Sequence, residues 1–329
     1  MSLKIIKAGI LDTVQDHGRH GHQQLGINPS GCMDRYASEV VNVLVGNDVN
    51  DAVIEMHFPA GTFLIEEETL IAIGGADFSA TINGEEISLW QPVILSTNSI
   101  LQFQKWKSGA RCYLAVKEKL AIPKWLNSYS TNLKAGCGGY HGRALRKDDV
   151  IGLFHQNNYK NYLNNKDHVS LHWKADVFWS AVEDKIAVLP GNEWNWLTPE
   201  SQERFNQQSF IISSSADRMG YKLNGKLVAK NNDELVSSAV NFGTIQLLPN
   251  GELIVLMADH QTTGGYPRVA HVIAAHLPKL AQMRAGETIN FRMTDIKQAE
   301  QLAWQQKQHL HQLQNACNFR LKEFLDAQH

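Results

Sequence analysis

The residues best suited to chemistry lie in one polar stretch, residues 258–268, which reads Ala-Asp-His-Gln-Thr-Thr-Gly-Gly-Tyr-Pro-Arg. Arg268 offers a planar fork of N–H donors that matches a carboxylate or a phosphate. Gln261, Thr262 and Thr263 add neutral hydrogen-bonding groups beside it. So many convergent polar groups favour a binding site for a small anion over a connecting loop whose polar groups satisfy one another.

The surrounding sequence predicts the elements that position this stretch. An apolar run at residues 253–257 predicts a buried strand before it, and apolar residues at helical spacing from Val269 onward predict a helix after it. Gly264 and Gly265 are expected to let the backbone turn where a Cβ atom would clash. Pro267 suits the first turn of a helix. The stretch is therefore predicted to be a strand-to-helix loop whose free N–H groups attract anions.

A second polar stretch follows the first predicted strand. Asp16 and Arg19 are close enough in sequence to form an ion pair, and for these two residues alone a surface turn is the simpler interpretation. His17, His20 and His22 lie beside them, but their spacing fits no standard zinc-ligand pattern, and cysteine partners are missing. No metal site is predicted here.

Length and composition set the limits of the interpretation. A chain of 329 residues exceeds what one core usually serves, so two domains are expected. The formal net charge of -2 gives no electrostatic reason to expect binding to nucleic acid or to an anionic membrane. The sequence has no apolar run of membrane-spanning length, no signal-peptide pattern and four scattered cysteines. These features predict a cytoplasmic protein with reduced thiols.

The remaining patterns predict mainly β structure. Asp34 is expected to cap a helix that ends before Gly46, and many short apolar runs follow between residues 52 and 116. Ala76-Asp77 and Asn83-Gly84 recur as Ala216-Asp217 and Asn224-Gly225 at a nearly constant offset, which indicates a duplication. The predicted domains are a barrel at residues 1–135, a glycine- and asparagine-rich junction at 136–185, a second barrel at 186–293, and a C-terminal helix at 294–329.

Several motifs together are specific for one protein family. They are residues 14–19 (VQDHGR), 31–34 (GCMD), Asn42 with Gly46-Asn47, Gly142-Arg143, 215–220 (SADRMG), 243–246 (GTIQ) and 259–267 (DHQTTGGYP). Over nearly the whole chain, the sequence resembles the allophanate hydrolase subunit 2 family. That family includes the C subunit of the bacterial ATP-dependent 5-oxoprolinase and members named biotin-dependent carboxyltransferase proteins.

The resemblance implies a fold, partners and a reaction. The expected fold is two tandem cyclophilin-like β-barrels. The expected partner is a companion B subunit resembling allophanate hydrolase subunit 1, with an A subunit as a further candidate. The favoured activity is ATP-driven hydrolysis of 5-oxoproline to glutamate, with Mg²⁺ accompanying ATP and no tightly bound cofactor. Carboxyl transfer from biotin in a urea or amide carboxylase, and a non-catalytic regulatory binding role, remain alternatives.

The favoured reaction assigns roles to particular residues. Phosphorylating the lactam oxygen lets water attack the carbon, and the developing charge then needs hydrogen-bond donors. Asp16 and Asp259 are the candidates for acid–base work or Mg²⁺ binding. The candidate substrate- or phosphate-binding residues are Arg19, Asp34, Arg143, Arg218, Gln261, Thr262, Thr263, Gly264, Gly265, Tyr266 and Arg268. Tyr221 and Lys117 depart from the family pattern and predict a shifted substrate.

Overall fold

The chain forms two compact units, which we describe from a computed structural model. The structure describes residues 2–154, 158–177, 185–231 and 234–326. The first unit contains residues 1–18, 34–177 and 308–329, and the second contains residues 19–33 and 178–307. Parts of the predicted junction at 136–185 and the last residues of the predicted C-terminal helix lie outside the described residues. The described part is mainly β, as the sequence predicts.

The first unit is built from two six-stranded sheets around one apolar core. The sheet orders are β11-β1-β4-β9-β6-β7 and β12-β8-β5-β10-β3-β2. Buried side chains from both sheets, such as Phe63 and Leu114, share that core. The strands are β1 (Ser2–Lys7), β2 (Thr13–Gln15), β3 (Val53–Met56), β4 (Thr62–Ile65), β5 (Thr69–Asp77), β6 (Ala80–Ile82), β7 (Glu85–Glu86), β8 (Val93–Leu95), β9 (Ser99–Phe103), β10 (Ser108–Val116), β11 (Val150–Gly152) and β12 (His168–Ser170).

Two helices of the first unit lie between these strands, α1 (Arg35–Leu44) and α2 (Lys160–Leu163). The predicted cap of α1 is confirmed, because the Asp34 carboxylate accepts a hydrogen bond from the Ala37 amide at 2.9 Å. At the other end, the chain turns through Gly46 with a φ of 70°. The Lys117 ammonium donates to the Gly46 carbonyl at 2.9 Å, so this family departure places a positive charge at the C-terminal end of α1.

Local turn chemistry matches the predicted duplication in one place and departs from it in another. The Asp77 carboxylate accepts from the Ser79 amide, and the Asp217 carboxylate accepts from the Met219 amide, both at 2.8 Å. Asn83 and Gly84 form the predicted hairpin turn between β6 and β7, with φ angles of 51° and 92°. The equivalent Asn224-Gly225 pair forms no such hairpin, because the residues that follow it bond to residues 196–198 and to Gly251.

The second unit contains a nearly closed eight-stranded barrel and a separate two-stranded sheet. The barrel order is β21-β14-β15-β18-β17-β20-β13-β22, and the small sheet pairs β16 with β19. Met33 and Phe205 are among the fully buried core residues. The strands are β13 (Ile186–Pro190), β14 (Phe210–Ile212), β15 (Gly220–Asn224), β16 (Ser238–Ala239), β17 (Thr244–Leu247), β18 (Leu253–Leu256), β19 (Thr263–Gly264), β20 (Arg268–Val272), β21 (Thr288–Ile289) and β22 (Phe291–Met293).

The second unit also carries α3 (Pro199–Gln207) and α4 (Leu277–Ala281), and these are followed by the long helix α5 (Ile296–Asp326). Asp295 caps the start of α5, since its carboxylate accepts from the Gln298 amide at 2.8 Å. Cys317 and Leu321 are the buried members of its apolar stripe, whereas Ile296 is 63% exposed. None of the described helices combines the length and the hydropathy that a membrane-spanning segment needs.

Candidate functional site

The polar stretch at residues 258–268 connects strands, and the predicted helix after it is wrong. β18 precedes it as expected, but Arg268 begins strand β20. β20 pairs with β13 and with β17, and this pairing buries Val269 and Ala270. The apolar residues read as one helical face are therefore divided between β20 and the short α4. No helix N-terminus lies at Pro267, so the stretch lacks the anion-attracting helix start that the sequence predicted.

Gly264 and Gly265 serve close packing instead of a left-handed turn. Neither is among the glycines with a positive φ angle. A Cβ atom on Gly264 would lie 2.5 Å from the side-chain nitrogen of the fully buried Gln246. A Cβ atom on Gly265 would lie 3.2 Å from the Leu235 carbonyl oxygen. The two glycines let this stretch lie directly on Gln246 and on the segment that precedes β16.

Gly264→Ala is expected to destabilise the second unit by about 1–3 kcal/mol, because the new methyl group must displace a buried side chain. Urea denaturation followed by circular dichroism measures the change. Gly152→Ala is the matched control, since a Cβ atom there meets only Ala121 at an ordinary contact distance of 3.5 Å. Equal stability of the two variants would contradict the close packing.

Arg268 is held by a residue that the sequence did not single out. Its Nε and Nη2 atoms donate to the two carboxylate oxygens of Glu193, at 3.0 and 2.9 Å, and its backbone amide donates to the same carboxylate at 2.9 Å. Burial raises the pKa of Glu193, but the hydrogen bonds from Arg268 together outweigh this effect, so the net pKa is lowered. The same hydrogen bonds raise the pKa of Arg268. Arg268 thus enters the site as half of an ion pair.

A second ion pair lies at the start of the stretch. The Arg218 Nε and Nη2 atoms donate to the Asp259 carboxylate at 2.8 and 3.1 Å, and Arg218 is only 5% exposed. Arg218 also donates to the Gly31 carbonyl at 2.7 Å, and the Asn28 side chain donates to the Asp259 carbonyl at 3.0 Å. Three separate family motifs of the second unit therefore meet at this pair.

Asp16 is buried in the first unit, so the simple surface turn is wrong for it. Its carboxylate accepts from the hydroxyls of Ser128 and Ser130 and from the backbone amides of Gly18 and Tyr129, at 2.5 to 2.7 Å. Arg19 is buried too, at 1% exposure, and belongs to the second unit. The Asp16 carboxylate thus accepts four hydrogen bonds and joins its own loop to the loop at residues 128–130.

The other predicted site residues of the first unit have clear structural contacts. Asp34 caps α1 and is 1% exposed. Arg143 forms a partly exposed, two-pronged ion pair with Asp149, at 2.6 and 2.7 Å. Hydrogen bonds from Arg143 lower the pKa of Asp149. In the second unit, the departure Tyr221 is a core residue, 1% exposed, whose hydroxyl donates to the Met283 carbonyl.

Along the chain, the exposed groups of residues 258–268 lie between Asp259 and Arg268, which belong to the two ion pairs. Gln261, Thr263 and Tyr266 are exposed, and Tyr266 is exposed by 44%. Among the described residues, the Arg268 Nη1 atom has no hydrogen-bond partner, so one edge of its guanidinium group can still reach an anion. The stretch therefore offers neutral hydrogen-bonding groups and one remaining cationic donor to a small polar molecule.

The predicted role of Asp16 and Asp259 in Mg²⁺ binding does not fit this geometry. Magnesium takes carboxylate oxygens as ligands. The oxygens of Asp16 accept four hydrogen bonds, and both oxygens of Asp259 accept from Arg218. In the described ranges, no group of three histidine, cysteine, aspartate or glutamate residues is arranged to hold a metal ion. We derive no step through a metal at these two residues.

Comparison with known proteins gives matches over most of the chain. The chain is 34% identical to the C subunit of the Escherichia coli 5-oxoprolinase over 92% of its own length and 98% of that protein. It is 29% identical to the urea amidolyase of Saccharomyces cerevisiae over 88% of its length, but it covers only 16% of that longer protein.

Structural comparison agrees with the sequence comparison. The urea amidolyase of K. lactis superposes with a TM-score of 0.84 at 26% identity, over 95% of this chain and 20% of that chain. The chain thus spans about a fifth of the solved structure. A family model described as carboxyltransferase domain, subdomain A and B, matches residues 25–293. The protein therefore belongs to the family of carboxyltransferase domains, subdomain A and B, and is similar to the 5-oxoprolinase and urea amidolyase relatives named above.

Proposed function

We propose that this chain is the C subunit of an ATP-dependent 5-oxoprolinase that converts 5-oxo-L-proline, ATP and water to L-glutamate, ADP and phosphate. One observation carries the proposal: the match to the C subunit of the Escherichia coli 5-oxoprolinase covers 98% of that protein. By contrast, the match to the Saccharomyces cerevisiae urea amidolyase covers only 16% of that protein. The proposed complex includes a companion B subunit and an A subunit, and it works in the cytoplasm.

The residues of the second unit suggest how the chain contributes. 5-Oxoproline carries one carboxylate and one lactam amide, which need a cationic donor and neutral hydrogen-bonding groups. The free edge of Arg268 can hold the carboxylate, and Gln261 and Thr263 can hydrogen-bond to the lactam. Glu193 fixes the direction of the guanidinium group through two side-chain hydrogen bonds. This chain therefore acts mainly by positioning the substrate.

The test is ATP hydrolysis by the chain purified together with its companion subunits. We expect 5-oxoproline to stimulate turnover, and urea to leave it unchanged. Arg268→Ala should lower kcat/KM for 5-oxoproline by roughly ten- to a hundredfold, because it removes a charge-assisted hydrogen bond. Arg204→Ala is the control, since Arg204 lies exposed on α3 and its side chain donates to Gln208, four residues further on. Wild-type kcat/KM in the Arg268→Ala complex would overturn the assignment of Arg268.

A second candidate function is carboxyl transfer in a biotin-dependent urea or amide carboxylase. It is favoured by the match to a carboxyltransferase family model and by the similarity to the K. lactis urea carboxylase, with a TM-score of 0.84. This function requires bicarbonate and a biotin-carrier protein for turnover. Urea-stimulated ATP hydrolysis that depends on bicarbonate, with no response to 5-oxoproline, would replace the first proposal with this one.

A further inference from the structure

The second unit contains a pocket that shares Gly265 and Tyr266 with the candidate site and is otherwise lined by residues to which no role has been assigned. Its volume is about 770 Å³, within the range of small-molecule sites, which is roughly 300–1,000 Å³. Its lining includes the aromatic residues Trp196 and Tyr266 and the aliphatic residues Leu235 and Leu247. Val228, also in the lining, is 57% exposed. The pocket is therefore open to solvent, and apolar and polar groups contribute about equally to its lining.

Backbone packing builds this pocket from two segments. On one side, Gly251 adopts a φ of 83°, and a Cβ atom there would lie 2.7 Å from the Leu227 carbonyl oxygen. The Leu227 amide donates to the Gly251 carbonyl at 2.9 Å, and this hydrogen bond joins the two segments on this side of the pocket. On the other side, the segment carrying Leu235 lies against Gly265 and continues into β16, which pairs with β19.

The polar groups of the pocket carry both signs of charge. Lys226 and Glu234 line it, and both side chains are exposed. Neither forms an ion pair with another of the described residues, although Lys226, after Lys222 and Asn250, helps to lower the pKa of the Glu252 carboxyl group. Asn231 and Asn250 add carboxamide groups, which can donate to and accept from peptide bonds. A ligand that matches this lining needs an apolar body, amide groups and one charge of each sign.

We propose that this pocket binds a short peptide with apolar side chains and two free termini. Lys226 attracts the terminal carboxylate, Glu234 attracts the terminal ammonium group, and Trp196 packs against an apolar side chain. A single amino acid would leave most of the space unfilled, whereas a tripeptide supplies both termini and enough apolar surface. Peptide binding here does not require ATP turnover, so it can be tested apart from the proposed reaction.

Isothermal titration calorimetry of the full chain tests the charge assignment. The probes are the tripeptide Leu-Phe-Leu with free termini, its N-acetylated form and its C-terminal amide. We expect the free form to bind about three- to fivefold more tightly than either blocked form, which is the scale of exposed ion pairs. Lys226→Ala should abolish the tighter binding of the free peptide relative to its C-terminal amide, and it should leave the tighter binding relative to the acetylated form unchanged. Glu234→Gln should abolish the preference over the acetylated form only.

Two further variants test the location. Trp196→Ala should weaken all three peptides by roughly tenfold or more, because it removes a large part of the apolar wall. Lys230→Ala is the matched control, since Lys230 is an exposed lysine close in sequence to Lys226 that does not line the pocket, and it should bind like wild type. No binding at millimolar peptide, equal affinity of the three peptides, or unchanged binding by Trp196→Ala would overturn the proposal. Loss of 5-oxoproline-stimulated turnover with peptide binding intact would count only against the proposed reaction.

Discussion

Arg218→Met is expected to lower the free energy of unfolding by about 3–5 kcal/mol, because it leaves the Asp259 carboxylate partly buried without its cationic partner. Two hydrogen bonds of 2.8 and 3.1 Å join the side chains, and Arg218 also reaches the Gly31 carbonyl. Removing it leaves three acceptor groups without a charged donor. Calorimetry should show the unfolding transition lowered by about 6–20 °C.

Two control variants distinguish the effect of breaking a buried ion pair from the effect of losing any arginine. Arg143→Met breaks an equally well-formed pair with Asp149. The Arg143 side chain is 27% exposed, against 5% for Arg218, and the Asp149 carboxylate keeps a hydrogen bond from the Arg146 amide, so the expected loss is only about 0–1 kcal/mol. The double variant Arg218→Met/Asp259→Leu should recover part of the loss, since no carboxylate is then left unpaired. If Arg218→Met and Arg143→Met are equally stable, the second unit does not depend on this ion pair.

Asp12→Asn is expected to become progressively more stable than wild type as the pH rises from 4 to 8. Asp12 is 1% exposed, and burial raises the pKa of its carboxyl group from 3.8 to about 7. A raised pKa in the folded state means that the protonated side chain contributes stability below pH 3.8, and this contribution is lost as the pH rises through about 7. The asparagine does not titrate, so it avoids that loss.

The difference in the free energy of unfolding between variant and wild type should grow by roughly 4 kcal/mol between about pH 4 and pH 8. This figure follows because one unit of pKa shift corresponds to about 1.36 kcal/mol. Urea denaturation at half-unit pH steps measures it. The backbone amides of Gly61 and Gly9 donate to one Asp12 oxygen at 2.8 and 3.1 Å, and the carbonyl oxygen of an asparagine can still accept both. The exposed Asp148→Asn is the control and should follow the wild-type curve. A flat difference between Asp12→Asn and wild type would show that Asp12 is ionised at pH 4.

Local signals in the sequence were read correctly, and long-range pairing was not. The Asp34 cap and the Asn83-Gly84 turn depend on residues within a few positions, so their side-chain chemistry is visible in sequence. The strand beginning at Arg268 depends on pairing with β13 and β17. Its apolar residues fit a helical face equally well, and nothing local distinguishes the two structures.

The contacts of the candidate site follow the same division. The sequence singled out Arg218 and Asp259 by motif and Arg268 by its place in the polar stretch. It assigned the two arginines to substrate or phosphate binding and Asp259 to acid–base work or Mg²⁺ binding. The structure shows each in an ion pair within the protein. Glu193 was missed because 75 positions separate it from Arg268 and no motif marks it. The buried environment of Asp16 was missed for the same reason, since its hydroxyl partners lie 112 and 114 positions away.

Each unit is assembled from separate stretches of the chain, and this has a consequence during synthesis on the ribosome. The first unit includes residues 308–329, and there Cys317 and Leu321 are buried. It therefore cannot reach its final packing until these residues have been synthesised. The second unit likewise needs residues 19–33, which are made long before the rest of it. Fragments cut near residue 177 would each lack a piece of their own core, so the gene cannot be split there into two independently folding products.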